Sequence, residues 1–427
     1  MTVPASAAPT LADVVRLLER RYPPAFAEAW DAVGTVCGDP DQPVRRVLFA
    51  VDPTADVVDE ALEWGADLLV THHPLLLRAV HGVAATSFKG ALVHRLIRGG
   101  CALHVAHTNA DAARGGVAQA LAEAVGLTDL RPLVAAPAEP VDKHVVLVPA
   151  DAVATLIDAM SEAGAGALGT YSRCAWTTTG VGTFLPGTGS TPAIGQVGRI
   201  EEVLEGRVEM VAPRRLRSQV VDAIRRAHPY EEPAFDVLEP AALAQDTGTG
   251  RIGRLVEPLS LADFGARVAA ALPATEQGVR LAGDLDALVS TVAVVGGSGD
   301  SLFDAVRASG VDAYLTADLR HHPASELRER AQFEAARAGR PGADGRPFLV
   351  DVAHFASEWP WLEQAAAALR ADLGTRAPVD GTETAPAGGT TVETRVSTRR
   401  TDPWTARIAS PASSSADSSS AVGGPRP

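Results

Sequence analysis

Short apolar runs recur along the chain, each closed by polar, proline or glycine residues. Val47 to Val51 is one such run, ended by Asp52-Pro53-Thr54, and Asp67-Leu68-Leu69-Val70-Thr71 is the next. A helix over 55–64 fits between them. Strand, short helix and strand in about 25 residues predicts a βαβ unit, and with it a parallel sheet covered by helices. Upstream, Leu11, Val14, Val15 and Leu18 recur at helical spacing behind Thr10 and Asp13, a capping-box start. The first helix is therefore predicted over 11–20.

The unit returns far down the chain. Val47 through Thr71 can be laid without a gap on Val292 through Thr316, so that Gly310-Val311-Asp312-Ala313-Tyr314-Leu315-Thr316 matches Gly65-Ala66-Asp67-Leu68-Leu69-Val70-Thr71. Val292 to Val295 is the strand, Gly296-Gly297-Ser298-Gly299 the turn and 300–309 the helix. The turn matches neither a P-loop nor a dinucleotide fingerprint and is read as a tight strand-to-helix connection. The runs ending Val105-Ala106-His107 and Val352-Ala353-His354 form the next matched pair. The fold class is α/β, with two related α/β halves making one domain.

Between the halves the periodicity changes. Strands near 144–148, 171–185, 207–211 and 234–238 alternate with helices over 151–163 and around Leu216 to Ile224. That order predicts an inserted α+β domain of split βαβ, or ferredoxin-like, type. Within it, Gly180 to Pro186 reads as an exposed loop, and Tyr230-Glu231-Glu232-Pro233 as a solvated entry to the last strand. The expected organisation is 1–142 for the first half, 143–240 for the insert and 241–372 for the second half. Residues 373–427, rich in Gly, Thr, Pro, Ser and Ala, are expected to be a disordered tail.

Composition narrows the function classes. A net charge of −14 over 427 residues argues against a general nucleic-acid binder. Three scattered cysteines with no CxxC exclude a disulfide framework and finger-type zinc. No basic-then-apolar leader and no apolar stretch near ~20 residues occurs, so a soluble cytoplasmic protein is expected, without a membrane partner.

The candidate chemistry sits where strands end. Open α/β sheets present ligands beyond the carboxyl ends of their strands, and here those ends carry His72-His73, His107-x-x-x-Asp111 and His354-x-x-x-Glu358. Imidazole with carboxylate suits divalent Zn, Fe, Mn, Co or Ni. Five donors, His72, His73, Asp111, His354 and Glu358, exceed what one tetrahedral ion needs. Two ions ~3.5–4 Å apart, bridged by a carboxylate, fit them, and that arrangement serves hydrolysis. His354 and Glu358 share a face if a helix starts there. His104 lies inside an apolar strand and is read as a core histidine. His107 is either a ligand or the group acting on substrate. Asp52, Asp318 and His322, with His321 beside it, are candidates to orient the ligands from behind.

Trp30-Asp31-x-Val33-Gly34, Asp52-Pro53-Thr54, Thr71-His72-His73-Pro74, His107-Thr108-Asn109-x-Asp111, Thr316-x-Asp318 with His321-His322, and His354-x-x-Ser357-Glu358 together resemble the Nif-three-like, dinuclear-metal-centre family. Its members are often labelled GTP cyclohydrolase 1 type 2 homologs. The insert resembles the PII-like or CutA-like domain of longer bacterial members, through Gly182-Thr183-Phe184-x-Pro186, Gly195 and His228-Pro229-Tyr230-Glu231-Glu232. Two positions depart from the family pattern: Ala32 stands where Asn is typical, and Ala317 where Gly is common. The resemblance implies two metal ions on the five donors and a toroidal homohexamer with the inserts grouped as trimers. The family label implies opening of the GTP imidazole ring by metal-bound water, and hydrolysis of a phosphate ester or nucleotide fits the same residues equally well. No cysteine joins the donors, so a zinc–thiolate mechanism is not supported. A metal-binding regulatory or scaffold oligomer without turnover is the alternative.

Overall fold

The computed structural model describes residues 8–242, 244–341, 345–374 and 392–408. They fall into two compact units, Ala136–Gln245 and the remainder of the chain on either side of it. In the larger unit, the helix Leu11–Arg21 starts as its sequence requires. The Thr10 side chain accepts from the Asp13 N–H at 3.2 Å, and Asp13 accepts from the Thr10 N–H at 3.1 Å. Leu11, Val14 and Leu18 go into the core.

The first sheet orders its strands Gly34–Cys37, Ala102–Val105, Leu68–Thr71, Arg46–Ala50 and Glu393–Val396. All neighbours are parallel except the first pair. Strand side chains alternate between faces, and here both faces are apolar, as a buried parallel sheet demands. Val47, Phe49, Leu68 and Val70 pack toward Trp361, Leu362 and Ala365 of the helix Pro360–Asp372. Leu48, Ala50, Leu69 and Leu103 pack toward Val57, Val58, Leu92 and Leu96 of the helices Ala55–Trp64 and Phe88–Arg98.

The second sheet repeats the plan in the order Arg280–Ala282, Phe348–Val352, Ala313–Ala317, Leu288–Ser298, Ala244–Ser260 and Leu127–Pro137. Its ladder carries the internal repeat residue for residue: Val47↔Leu68, Leu48↔Leu69 and Phe49↔Val70 correspond to Val292↔Ala313, Ala293↔Tyr314 and Val294↔Leu315. The next strands slip by one. Thr71 pairs with Val105, whereas Thr316 pairs with Asp351, so His107 aligns with Ala353 and not with His354. His107 accordingly caps the helix Thr108–Ala112, while His354 is the first residue of the helix His354–Glu358.

Two helices join the two cores: His354–Glu358 places Phe355 in the first and Ala356 in the second, and Val117–Ala124 does the same. Val117 and Ala120 of Val117–Ala124 lie in the first cluster, and Leu121 and Ala122 of the same helix lie in the second.

The smaller unit runs strand, helix, strand, strand, helix, strand: Val141–Pro149, Val153–Glu162, Trp176–Phe184, Glu201–Pro213, Arg217–Ala227 and Ala234–Leu238. The third strand lies between the first two, and every neighbouring pair is antiparallel. This is the interleaving of a split βαβ arrangement. Leu156, Ile157 and Met160 from one helix and Val220, Ala223 and Ile224 from the other close its core. Asp142, fully buried, accepts from Arg217 at 2.6 and 2.7 Å and from Arg214 at 3.2 Å.

Three expectations change. Gly180 to Phe184 is not a loop but part of the strand Trp176–Phe184, paired from Gly180↔Glu205 to Phe184↔Glu201. Two glycines in five residues read as a loop, yet the long partner strand supplies the ladder that keeps them extended. Likewise Gly296, Gly297 and Ser298 continue the strand Leu288–Ser298, and the helix starts only at Phe303 after a single tight turn. Lastly, the expected tail is ordered at Glu393–Val396, which adds a parallel strand beside Arg46–Ala50. Val392 buries in the first core, and Ser397 donates to Phe49 O at 2.8 Å and to Glu60 at 2.6 Å. The parts of 373–427 from 375 to 391 and from 409 onward lie outside the described residues.

Deleting residues 392–427 should lower the thermal stability of the larger unit, since losing the burial of Val392 alone forfeits about 1.5–3 kcal/mol. A thermal melt of full-length and truncated chains reads the difference. Asp142→Asn should destabilise the insert. Its two arginines hold the carboxyl below the usual carboxylate range despite burial. The contribution is complete above about pH 4 and disappears as the pH falls through the lower folded value. Denaturant melts of wild type and variant should differ at neutral pH and converge in acid.

Candidate metal centre

The carboxyl ends of four parallel strands deliver their next residues to one cluster. The N–H groups of His72 and His73 extend the ladder past Thr71, bonding Ala50 O at 3.1 Å and Val51 O at 2.9 Å. Thr71 Oγ1 donates to His73 O at 3.0 Å, and Pro74 then stops regular pairing. Asp318, which follows Ala313–Ala317, adopts φ +55°, a left-handed conformation uncommon for a residue with a side chain. His354 opens its helix, and Glu358 lies one turn later on the same face.

At the centre is Glu358, 3% exposed. Its Oε1 lies 2.9 Å from His354 Nε2 and 3.5 Å from His72 Nε2, and its Oε2 lies 3.1 Å from His73 Nε2. The Nε2 atoms of His73 and His354 are 3.2 Å apart, and His72 Nε2 is 3.7 Å from Asp111 Oδ1. Each imidazole is anchored through its other nitrogen. His72 Nδ1 meets Ala106 O at 2.9 Å, His73 Nδ1 meets Asp52 at 2.7 Å, and His354 Nδ1 meets Asp318 at 2.6 Å. Such anchoring fixes the tautomer and turns every Nε2 inward.

The charges follow from this geometry. Burial alone would strip His73 of its proton, but Glu358 and Asp52 outweigh it and hold its pKa up at about 11. The same balance, with Glu358 and Asp318, holds His354 at about 10. Burial works against ionised Glu358 too, yet the three imidazoles keep it well below the ordinary range. Asp111, close to Glu358 as well as to the imidazoles, is raised by burial to about 6.

The residues fit a divalent ion. Donors held about 2.0–2.2 Å from one ion lie roughly 3–3.5 Å from one another, which matches the spacings among His73, His354 and Glu358. Among the described residues two donor groups are tight enough to hold an ion, His73 with His354 and Glu358, and His72 with His73 and His107. Buried His72 Nε2 and Glu358 Oε2 have no hydrogen-bond partner among the described residues. Buried polar atoms are ordinarily satisfied, so the pair marks space for a ligand. Gly297 shapes the same space. A Cβ there would meet Glu358 Oε1 at 2.7 Å and His354 Nε2 at 3.0 Å. Its N–H donates to Ser357 Oγ at 2.8 Å, and Thr316 Oγ1 donates to its carbonyl at 2.9 Å.

His107 stands beside this group, its ring centroid 5.1 Å from that of His72 and 5.5 Å from that of His73. Its Nδ1 meets Asp31 Oδ1 at 2.8 Å, and the other Asp31 oxygen accepts from the Thr108 N–H at 3.0 Å and from its hydroxyl. Burial, and the charge on His72, push the His107 pKa down although Asp31 opposes both.

The structure thus brings together His72, His73, Asp111, His354 and Glu358, with Asp52 and Asp318 behind them and His107 alongside. His322 is not brought in. It is exposed at the start of the helix His321–Arg337, its ring against that of His321, and it takes no part in the cluster's hydrogen bonds among the described residues. His104 is buried as expected and bonds Thr35 at 3.1 Å. Asp31 and Ser357 stand in the sequence motifs without an assigned role, Gly297 lies in the expected turn, and Thr401, whose hydroxyl donates to Asp52, falls in the expected tail.

Fold and site together define an α/β protein with a buried histidine–carboxylate cluster suited to divalent metal. The sequence profile described as Duf34/NIF3 (NGG1p interacting factor 3) matches residues 9–384, and the chain belongs to that family. A Mycobacterium tuberculosis protein named GTP cyclohydrolase 1 type 2 homolog is 51% identical over 395 residues, covering 92% of this chain and 96% of that protein. A Streptomyces coelicolor protein of the same name is 40% identical over 417 residues, covering 98% and 99%. Among solved structures, a Bacillus cereus protein related to NIF3 superposes with TM-score 0.64 at 32% identity, covering 94% of this chain and all of that one. A Staphylococcus aureus protein superposes with TM-score 0.72 at 26% identity, covering 93% and 99%. Among the described residues no helix is long and apolar enough to cross a membrane.

Gly297→Ala should cost about 1–2 kcal/mol for the left-handed backbone alone, φ being +68°. It should also displace Glu358. Chemical denaturation reads the first effect and a crystal structure of the variant the second.

Proposed function

We propose that this chain holds two divalent ions on His72, His73, Asp111, His354 and Glu358 and hydrolyses a nucleotide. The observation that carries the reading is the set of three imidazoles, each anchored at Nδ1, that turn Nε2 toward one buried carboxylate. Bound there, the ions would supply Lewis acidity toward the scissile group and lower the pKa of coordinated water.

The rest is the work of the side chains. Glu358 and Asp111 supply the negative charge that would face the ions. Asp52 and Asp318 hold two ligand rings in register. His107, kept neutral with its Nδ1–H donated to Asp31, presents an unprotonated Nε2. That atom accepts the proton of the attacking water and returns it to the leaving group. GTP is the first substrate to try, on the strength of the relatives' name. Ring opening and phosphoester cleavage both place a proton on the leaving atom.

The working assembly is a cytoplasmic homohexamer, with trimers made through the insert. The outer strand Trp176–Phe184 and the neighbouring segments support this by leaving Trp176, Val181, Leu185 and Ile200 more than half exposed, an apolar surface of the kind subunits bury.

Elemental analysis should find about two ions per wild-type chain, and far fewer in His72→Ala and His354→Ala. His107→Ala should retain the metal while turnover of the nucleotide falls by about 10²–10⁴-fold. No metal after reconstitution with Zn, Fe, Mn, Co or Ni would overturn the reading. Full metal with no turnover on any nucleotide would leave a regulatory or scaffold oligomer.

A further inference from the structure

The insert contains a cavity of about 350 Å³, walled by apolar side chains such as Leu147, Phe184 and Ile194. Into this wall is set Glu205, only 8% exposed. Its carboxylate lies across Gly182, where a Cβ would stand 2.0 Å from Oε2, so only glycine leaves it room. Cations of the insert are engaged elsewhere. Lys143 and Arg207 pair with Glu209, while Arg214 and Arg217 pair with Asp142 and Glu239. Among the described residues none pairs with Glu205.

Two more polar features face the same space. Tyr230 lines the cavity, and its buried hydroxyl interacts with the Glu205 carboxylate. Burial and the Glu205 charge raise its pKa to about 12, so it remains a donor. Glu231 and Glu232 complete the lining, and Glu231 accepts from the Thr191 N–H at 3.1 Å, which ties down the loop that forms one wall.

A recessed carboxylate with no cation beside it is expensive, and a counter-ion relieves that cost. The choice of counter-ion follows from the lining. Anions are repelled by three carboxylates. A bare metal ion would need donors drawn to one point, and among the described residues the groups tight enough for that lie only around His73. An apolar chamber with a recessed carboxylate instead suits a cation on an apolar body, with the ring of Phe184, 5.6 Å from that of Tyr230, available to its face.

We propose that this cavity is a binding site for a small organic cation, whose ammonium or amidinium group pairs with Glu205 while its apolar body fills the chamber beside Phe184 and Ile194. The site is lined wholly by insert residues, and it stands whether or not the nucleotide hydrolase reading holds.

The test uses the full chain with benzamidine as probe and benzamide as its neutral counterpart of the same shape. Isothermal titration should show saturable benzamidine binding at least about tenfold tighter than benzamide, a difference of about 1.4 kcal/mol. Glu205→Gln, its fold checked by circular dichroism, should erase that preference, and Phe184→Ala should weaken both probes. Equal binding of the two probes to wild type, no saturable binding, or a preference that survives in Glu205→Gln would each overturn the proposal. If Glu205→Gln does not fold, the wild-type comparison of the two probes decides by itself.

Discussion

A carboxylate buried among three imidazoles is the constraint on which the larger unit depends. Removed from water, Glu358 would be unfavourable as an anion if His72, His73 and His354 did not face it. Those histidines belong to strand ends of two different sheets. The cluster therefore exists only while both sheets keep their carboxyl ends together. The helices Val117–Ala124 and His354–Glu358, each with side chains in both cores, help fasten one sheet to the other. Burial energy spread over two apolar clusters thus sustains a small polar site that would not hold itself.

Rigidity comes from the groups behind the donors. Ala106 O, Asp52 and Asp318 fix the three rings, and Ser357 and Thr316 fix the backbone of Gly297 against which Glu358 lies. Asp318 does this from a left-handed backbone, a strain of order 1–3 kcal/mol that its bond to His354 helps offset. The segment after Glu393–Val396 contributes as well, since Thr401 donates to the same Asp52 that orients His73. A part of the chain that composition marks as tail is in this way connected to the chemistry.

The insert follows a different logic. Its core is its own, closed by two helices over one face of a four-stranded antiparallel sheet. Two buried carboxylates in its interior are treated differently. Asp142 is satisfied by arginines, while Glu205 is left facing a cavity. The first is structural ballast for the fold, and the second is the kind of unbalanced charge that a ligand completes.

Much of this was legible in the chain because its causes are local. Apolar runs of four or five residues specify strands, Thr10 and Asp13 specify a helix start, and the repeat of Val47–Thr71 in Val292–Thr316 foretells two ladders of one register. Strand ends carrying His72-His73 and the one-turn spacing of His354 and Glu358 mark candidate donors without any knowledge of their neighbours. What only the tertiary structure decided is whatever depends on partners distant in sequence. Asp31 finds His107 across 76 positions, the strand Glu393–Val396 exists because Arg46–Ala50 offers an open edge, and Gly180–Phe184 is extended because a long strand pairs with it. His322, though its sequence surroundings resemble those of the donors, is turned outward on a helix. Local sequence determines what a residue is able to do; the packing of two sheets determines which of them meet, because distances across the fold are set by the sum of all buried contacts and by no single motif.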